Sequence, residues 1–207
     1  MRAVTFWLLT VMIVASVSSA QQPLTPTLKP DQTLYGRFTQ ERQLKGLTLP
    51  LKTEGDFVLS PRLGLIWRSE RPIEVVTVIT TGGIRRIYNG REVQRIATAR
   101  APFFAHFYEM LNDALLGDWS GLRRDFAVQP KGSRRAWRLV LKPLKADDPL
   151  AARLASVVLS GGDRIDAIDI IRANGDSDHM AFLDQVLTSA PLSAENARLL
   201  EQKWGSR

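Results

Sequence analysis

Five aspartates lie close together in the sequence: Asp163, Asp166, Asp169, Asp176 and Asp178. Their chemistry would be ligation of a hard cation through carboxylate oxygens. Strand alternation over 164–172 puts Asp166 and Asp169 on opposite faces, so they do not converge as ligands. Asn174-Gly175-Asp176-Ser177-Asp178 has the residue types of a calcium loop but neither its regular spacing nor its closing Glu, and it reads as a hairpin tip. The two histidines, His106 and His179, fall on the polar side of a predicted helix and just after a hairpin turn, both surface positions. There is no cysteine, which removes thiolate nucleophiles, zinc ribbons and iron–sulfur clusters. No G-x-S-x-G, H-E-x-x-H, P-loop or dinucleotide fingerprint is present, and Gly82-Gly83 and Gly161-Gly162 are isolated turn glycines. The residues therefore point to a binding protein, with no catalytic, metal or cofactor site.

The second group with chemical potential is basic. The chain carries 28 Lys and Arg against 21 Asp and Glu, a formal charge of +7. The excess is polarised: residues 61–100 hold eight Arg against three Glu, 122–145 hold eight Lys or Arg against one Asp, and 146–207 are net acidic. Arg85, Arg86, Arg134, Arg135 and Arg138 are candidates for docking an acidic partner or anionic head groups, the other reading being a solvated strand face.

The N-terminus decides against nucleic acid as that partner. Met1-Arg2 is a short basic start, Val4 to Val17 is an almost unbroken apolar run, and Ser18-Ser19-Ala20 supplies small residues before Gln21. This is the layout of a cleaved secretory signal peptide over 1–20, its apolar run too short for the ~20 residues of a spanning helix. The expected product is a soluble periplasmic protein. Pro23, Pro26 and Pro30 make 21–31 a flexible or extended leader, and 32–207 reads as one domain.

The elements that must position any site are mostly strands. Period-two patterning predicts strands over 33–40, 52–60, 64–69, 74–80, 84–88, 92–97, 125–130, 135–142, 155–160, 164–172 and 178–187. Gly82-Gly83, Asn89-Gly90, Gly161-Gly162 and Asn174-Gly175 are hairpin signals, so neighbours are antiparallel and a sheet of this size must curl or close. Two segments break the period. Pro102 to Leu116 places Phe103, Phe107 and Met110 on one apolar helical face, and Ser193 opens a short C-terminal helix carrying Leu199 and Leu200. The mid-chain helix is the natural cover for a concave sheet face. Phe57 with Leu59, Leu65 with Trp67, and Val76 with Val78 each share a strand face, either as solid core or as cavity lining.

The ordered series Gly36-Arg37-Phe38-Thr39-Gln40, Gly55-Asp56-Phe57-Val58-Leu59, Leu65-Ile66-Trp67 and Arg71-Pro72 resembles the periplasmic LolA-type outer-membrane lipoprotein carriers. The Asn89-Gly90 hairpin, the Ser156–Ser160 strand and the Asn174-Gly175 hairpin followed by Phe182 fit the same layout, so the resemblance covers roughly 33–187. It implies a mainly β fold with inserted helices: an incomplete antiparallel barrel of about eleven strands under helical lids, with an apolar cavity for acyl chains. It also implies a carrier, working as a monomer between an inner-membrane donor complex and an outer-membrane receptor. Ligand-contacting residues would then be Phe57, Leu59, Leu65, Trp67, Val76, Val78, Phe103, Phe107 and Met110. The alternative is a lipid-sensing regulatory module of the same fold. Two departures mark a divergent branch. The segment before Phe38 is short and proline-rich where the carriers have an amphipathic helix. Ser60-Pro61-Arg62 stands where they have Arg-Pro with an arginine that holds the lid, so Arg62 is one position displaced from that place.

Overall fold

The computed structural model describes residues 27–100, 120–133, 135–145 and 151–202. The predicted helix over 102–116 lies outside them, as do the signal segment and Arg134. Eleven strands form: β1 (Thr33–Gln43), β2 (Leu51–Ser60), β3 (Gly64–Arg71), β4 (Val75–Thr80), β5 (Gly83–Tyr88), β6 (Arg91–Ala97), β7 (Phe126–Ser133), β8 (Ala136–Pro143), β9 (Leu154–Gly161), β10 (Ile165–Arg172) and β11 (Ser177–Thr188). Each coincides with a predicted strand to within three residues at either end. The β5–β6 turn shows why the local signals are reliable. Asn89 (φ 49°) and Gly90 (φ 70°) both take the left-handed conformation that a two-residue hairpin turn requires.

All strands join one antiparallel sheet in the order β6-β5-β4-β3-β2-β1-β11-β10-β9-β8-β7. β1 and β11 pair at its centre, bringing the two ends of the domain together. The edges β6 and β7 are not paired to one another, so the sheet is an unclosed barrel, as expected.

Among the described residues two α-helices accompany the sheet. α1 (Ser120–Asp125), which strand periodicity does not reveal, buries Leu122 against Phe126, Trp137 and their neighbours. α2 (Ala194–Glu201) begins at Ser193, whose side chain accepts a bond from the Asn196 amide at 3.2 Å, a standard N-cap. Its Leu199 and Leu200 pack against Val58, Ile66 and Val78.

Strand register separates two faces. Phe57 pairs with Trp67, and Phe38 with Phe182, which puts these four rings on one face. Leu139, Leu159, Ile168 and Met180 are aligned in turn across β8, β9, β10 and β11, extending that face as an apolar strip. On the opposite face Val58, Ile66, Val78 and Arg85 are aligned under α2. Away from α2 that face is charged and laced with ion pairs, including Arg37–Glu70 at 3.0 Å and Lys52–Glu41 at 2.7 Å.

Candidate ligand-binding face

The centre of the apolar face is a group of four rings. Phe38 stacks on Trp67 with centroids 3.7 Å apart, and Phe57 lies 6.2 Å from Trp67. Phe182 meets Phe57 edge-on at 5.4 Å and Trp67 at 6.2 Å. Offset stacks and edge contacts of this kind add ~0.5–1.5 kcal/mol per pair beyond burial. The cross-strand neighbour of Phe57 is Gly36, and a Cβ there would come within 2.6 Å of the Phe57 ring. Glycine at this position is what lets the ring lie flat across β1. Leu28, ahead of β1, and Leu59 and Leu65 pack around the same rings.

One end of this face is closed by a charged clamp. Asp178 is 1% exposed and accepts from Arg42 Nε at 2.6 Å, from Gln40 Nε2 at 2.8 Å and from Arg172. Burial pushes its pKa up, but the hydrogen bonds from Arg172, Arg42 and Gln40 outweigh that, holding the carboxyl below the usual range. The aspartates that cluster in sequence therefore disperse in space. Asp169 meets the exposed His179 ring at 2.6 Å on the other face, and Asp176 shapes the hairpin tip by accepting from the Lys45 amide and Asn174. Among the described residues, no group of three or more His, Cys, Asp or Glu could hold a metal ion.

The predicted site residues divide unevenly. Phe57, Leu59, Leu65 and Trp67 share the ringed face. Val76 and Val78 do not. Thr77 is the residue of β4 aligned with Trp67, so its two valine neighbours point to the opposite face, where they pack with α2's cluster. This corrects their assignment to a common cavity lining. Phe103, Phe107 and Met110 lie outside the described residues.

The predicted basic band also divides. Arg85 is 1% exposed, aligned with Val78 under α2, and donates to the Leu199 carbonyl and to Gln202, with Glu92 at 3.8 Å. A buried, engaged guanidinium is not part of a docking surface, which corrects that expectation. Arg86 is exposed near one edge of the sheet; Arg135 and Arg138 are exposed near the other. Arg135 and Arg138 join Lys131, Trp137, Ser160 and Asp166 around an open depression of about 430 Å³. Arg62 is exposed.

Sequence reasoning missed Phe38 and Phe182 as site residues, and the Asp178 clamp. The signal for Phe38 was present, since Gly36, Phe38 and Gln40 alternate on one side of β1. Nothing local marks Asp178, because its partners Arg42 and Gln40 come from a strand 136 or more residues away in sequence.

An unclosed eleven-stranded antiparallel sheet with one face apolar and centred on aromatic rings defines a half-barrel protein. The chain belongs to the outer membrane lipoprotein carrier protein LolA-like family, whose model matches residues 24–199. It is a divergent branch of that family, which consists of periplasmic binding or carrier proteins and not enzymes. No curated protein sequence matches the chain. Similar solved structures include the Pseudomonas aeruginosa MucA/MucB complex, at 15% identity and TM-score 0.47, covering 80% of this chain and 55% of that one. The chain thus spans little more than half of that relative's length. A LolA superfamily protein from Nitrosomonas europaea is similar at 9% identity and TM-score 0.42, covering 83% and 91% of the two chains. LprF from Mycobacterium bovis is similar at 9% identity and TM-score 0.34, covering 77% and 87%. Among the described residues, no helix is long and apolar enough to cross a membrane.

Proposed function

We propose that this protein is a periplasmic carrier that holds the acyl chains of a lipid or lipoprotein against its ringed face and delivers them toward the outer membrane. The observation that carries the proposal is the continuous apolar strip from Trp67 through Phe38 and Phe182 to Ile168 and Leu139, on an unclosed sheet of a LolA-like chain. Acyl carriage needs no catalyst. Each methylene moved from water to apolar surface contributes ~0.8 kcal/mol, so one long chain supplies ample affinity. Release then requires an acceptor that buries the chain at least as well.

In this reading residues 1–20 are removed on export, 21–31 lead into the domain, and Phe103, Phe107 and Met110 are further acyl-contacting residues. Arg135 and Arg138, with Lys131 beside them, are the exposed cations to meet an acidic donor or receptor protein. Mass spectrometry of lipid extracted from the native periplasmic protein tests the cargo, and acyl transfer between two vesicle populations tests the carriage. Recovery of the protein without lipid, and no acceleration of transfer, would sink the proposal. Bound lipid without transfer would instead favour a lipid-sensing module.

A further inference from the structure

Ten large apolar side chains are exposed among the described residues, and eight of them gather at one end of the sheet. Leu47, Leu49 and Leu51 line the β1–β2 connection, with Leu49 78% exposed. Register places the β3–β4 connection, with Ile73, and the β5–β6 hairpin, with Tyr88 and Val93, at that same end. Leu144 after β8 and Ile171 before the β10–β11 turn continue the rim. The remaining two, Leu183 and Val186, lie along β11 rather than in a connection. The described turns at the opposite end expose polar residues instead: Arg62, Thr81, Arg135 and Asp163.

Strands sit ~4.8 Å apart, so connections two strands apart present their tips ~10 Å from one another, in a row. Single exposed apolar residues are ordinary on a protein surface; a contiguous row of them marks an interaction site. Charge indicates what the row meets. Lys45 in the first connection, Arg91 in the third and Lys142 and Lys145 flanking Leu144 are exposed, and none has an ion-pair partner among the described residues. At the same end Lys52 and Arg71 are paired, and the exposed Glu74 beside Ile73 is outnumbered by those four cations. Apolar tips interleaved with exposed cations match a lipid–water boundary that carries anionic head groups.

We propose that this end of the sheet docks on an anionic lipid bilayer, its leucines entering the boundary between head groups and acyl chains. The ringed face runs up to the same rim through Met180 and Ile170. The Asp178 clamp stands at that end beside Ile170, so an acyl chain leaving the bilayer would reach the rings by passing Arg42 and Arg172. That last step rests on the carriage reading above, whereas the docking itself does not.

The test is flotation of the exported protein with vesicles of phosphatidylethanolamine and phosphatidylglycerol at 3:1, against vesicles of phosphatidylcholine alone. Leu49→Asp and the milder Leu47→Ser/Leu49→Ser variant are compared with the parent. Because the chains differ only there, any contribution of the apolar run Val4–Val17 cancels. Leu49 is mostly exposed, so both variants keep the parent's urea midpoint. The parent is expected to float with the anionic vesicles and less with phosphatidylcholine, and Leu49→Asp to lower binding about tenfold, equivalent to ~1.4 kcal/mol. A parent that does not float, or variants that float equally well, would overturn the proposal. So would a parent dimer that Leu49→Asp dissociates without any vesicle binding, since the rim would then be a contact between copies. A fluorescent fatty-acyl probe, read without vesicles, separates the two ideas. Flotation without probe binding supports docking and defeats carriage; probe binding without flotation defeats docking alone.

Discussion

Arg85 on β5 donates to the main-chain carbonyl of Leu199 on α2, joining the outer half of the sheet to the C-terminal helix through a buried guanidinium. The contact satisfies a carbonyl near the helix end, where cations are favoured and intrahelical donors run out. Burial lowers the pKa of Arg85, with repulsion from Arg95 adding to it, yet arginine remains charged at any working pH. Arg85→Ala is expected to cost about 2–4 kcal/mol, because it removes the guanidinium bonds and leaves a void under α2. Urea unfolding measures the loss. Vesicle-to-vesicle transfer by the folded fraction should be unchanged, and slowed transfer would return Arg85 to the docking surface.

Val78 and Trp67 should behave differently although both belong to apolar clusters. Trp67→Ala removes a ring from the ligand face and is expected to weaken acyl-probe binding by about tenfold or more, with some loss of stability. Val78→Ala, which is fully buried on the α2 side, is expected to cost about 2 kcal/mol of stability and leave probe affinity within twofold. Equal effects on the probe would mean that the two faces are not functionally distinct.

Gly36→Ala tests the close approach of β1 to Phe57. The added methyl must displace the ring, at about 1–3 kcal/mol for an overpacked site. The near-ultraviolet circular dichroism of the ring cluster should change with it. A variant with parental stability and spectrum would show that the ring is not held against the β1 backbone.

Asp178 sets an acid limit on stability. Its folded pKa lies below the unfolded value of ~3.9, so its contribution is complete above that value and is lost as pH falls through the folded pKa. The urea midpoint should accordingly drop on acidification below about pH 4, and Asp178→Asn should flatten that part of the profile. At neutral pH the substitution is expected to cost about 1–3 kcal/mol, tempered because Arg42 and Arg172 are partly exposed and can rehydrate. An unchanged acid limb in Asp178→Asn would place the titrating group elsewhere.

Lys131 and Arg138 stand directly opposite each other on β7 and β8, a like-charge cross-strand pair. Such pairs repel, so Arg138→Gln should leave stability unchanged or raise it by a few tenths of a kcal/mol. If an acidic partner docks there, the same change should slow delivery and flatten its salt dependence, while acyl-probe binding stays constant. Delivery indifferent to both salt and Arg138→Gln would leave these cations as a solvated strand end.

The sequence by itself determined the eleven strands, their hairpins and the capped C-terminal helix, because each is encoded in a short window. Alternation marks a strand, Asn89-Gly90 supplies two left-handed residues, and Ser193 presents an oxygen to the Asn196 amide. It also determined that Phe57 and Leu59 share a side, as do Val76 and Val78. Which side each pair takes was decided only by tertiary structure, since alternation within one strand carries no reference to its neighbour. The register Phe57–Trp67–Thr77 puts Val76 and Val78 behind the ringed face, and it places Arg85 beneath a helix more than a hundred residues further along. The Asp178 clamp is tertiary for the same reason: β1 and β11 meet because they are adjacent in the sheet, and only there do Arg42 and Gln40 enclose the carboxylate. The apolar rim shares this origin. Leu49, Ile73 and Val93 are unremarkable one at a time, and antiparallel pairing gathers their connections at one end.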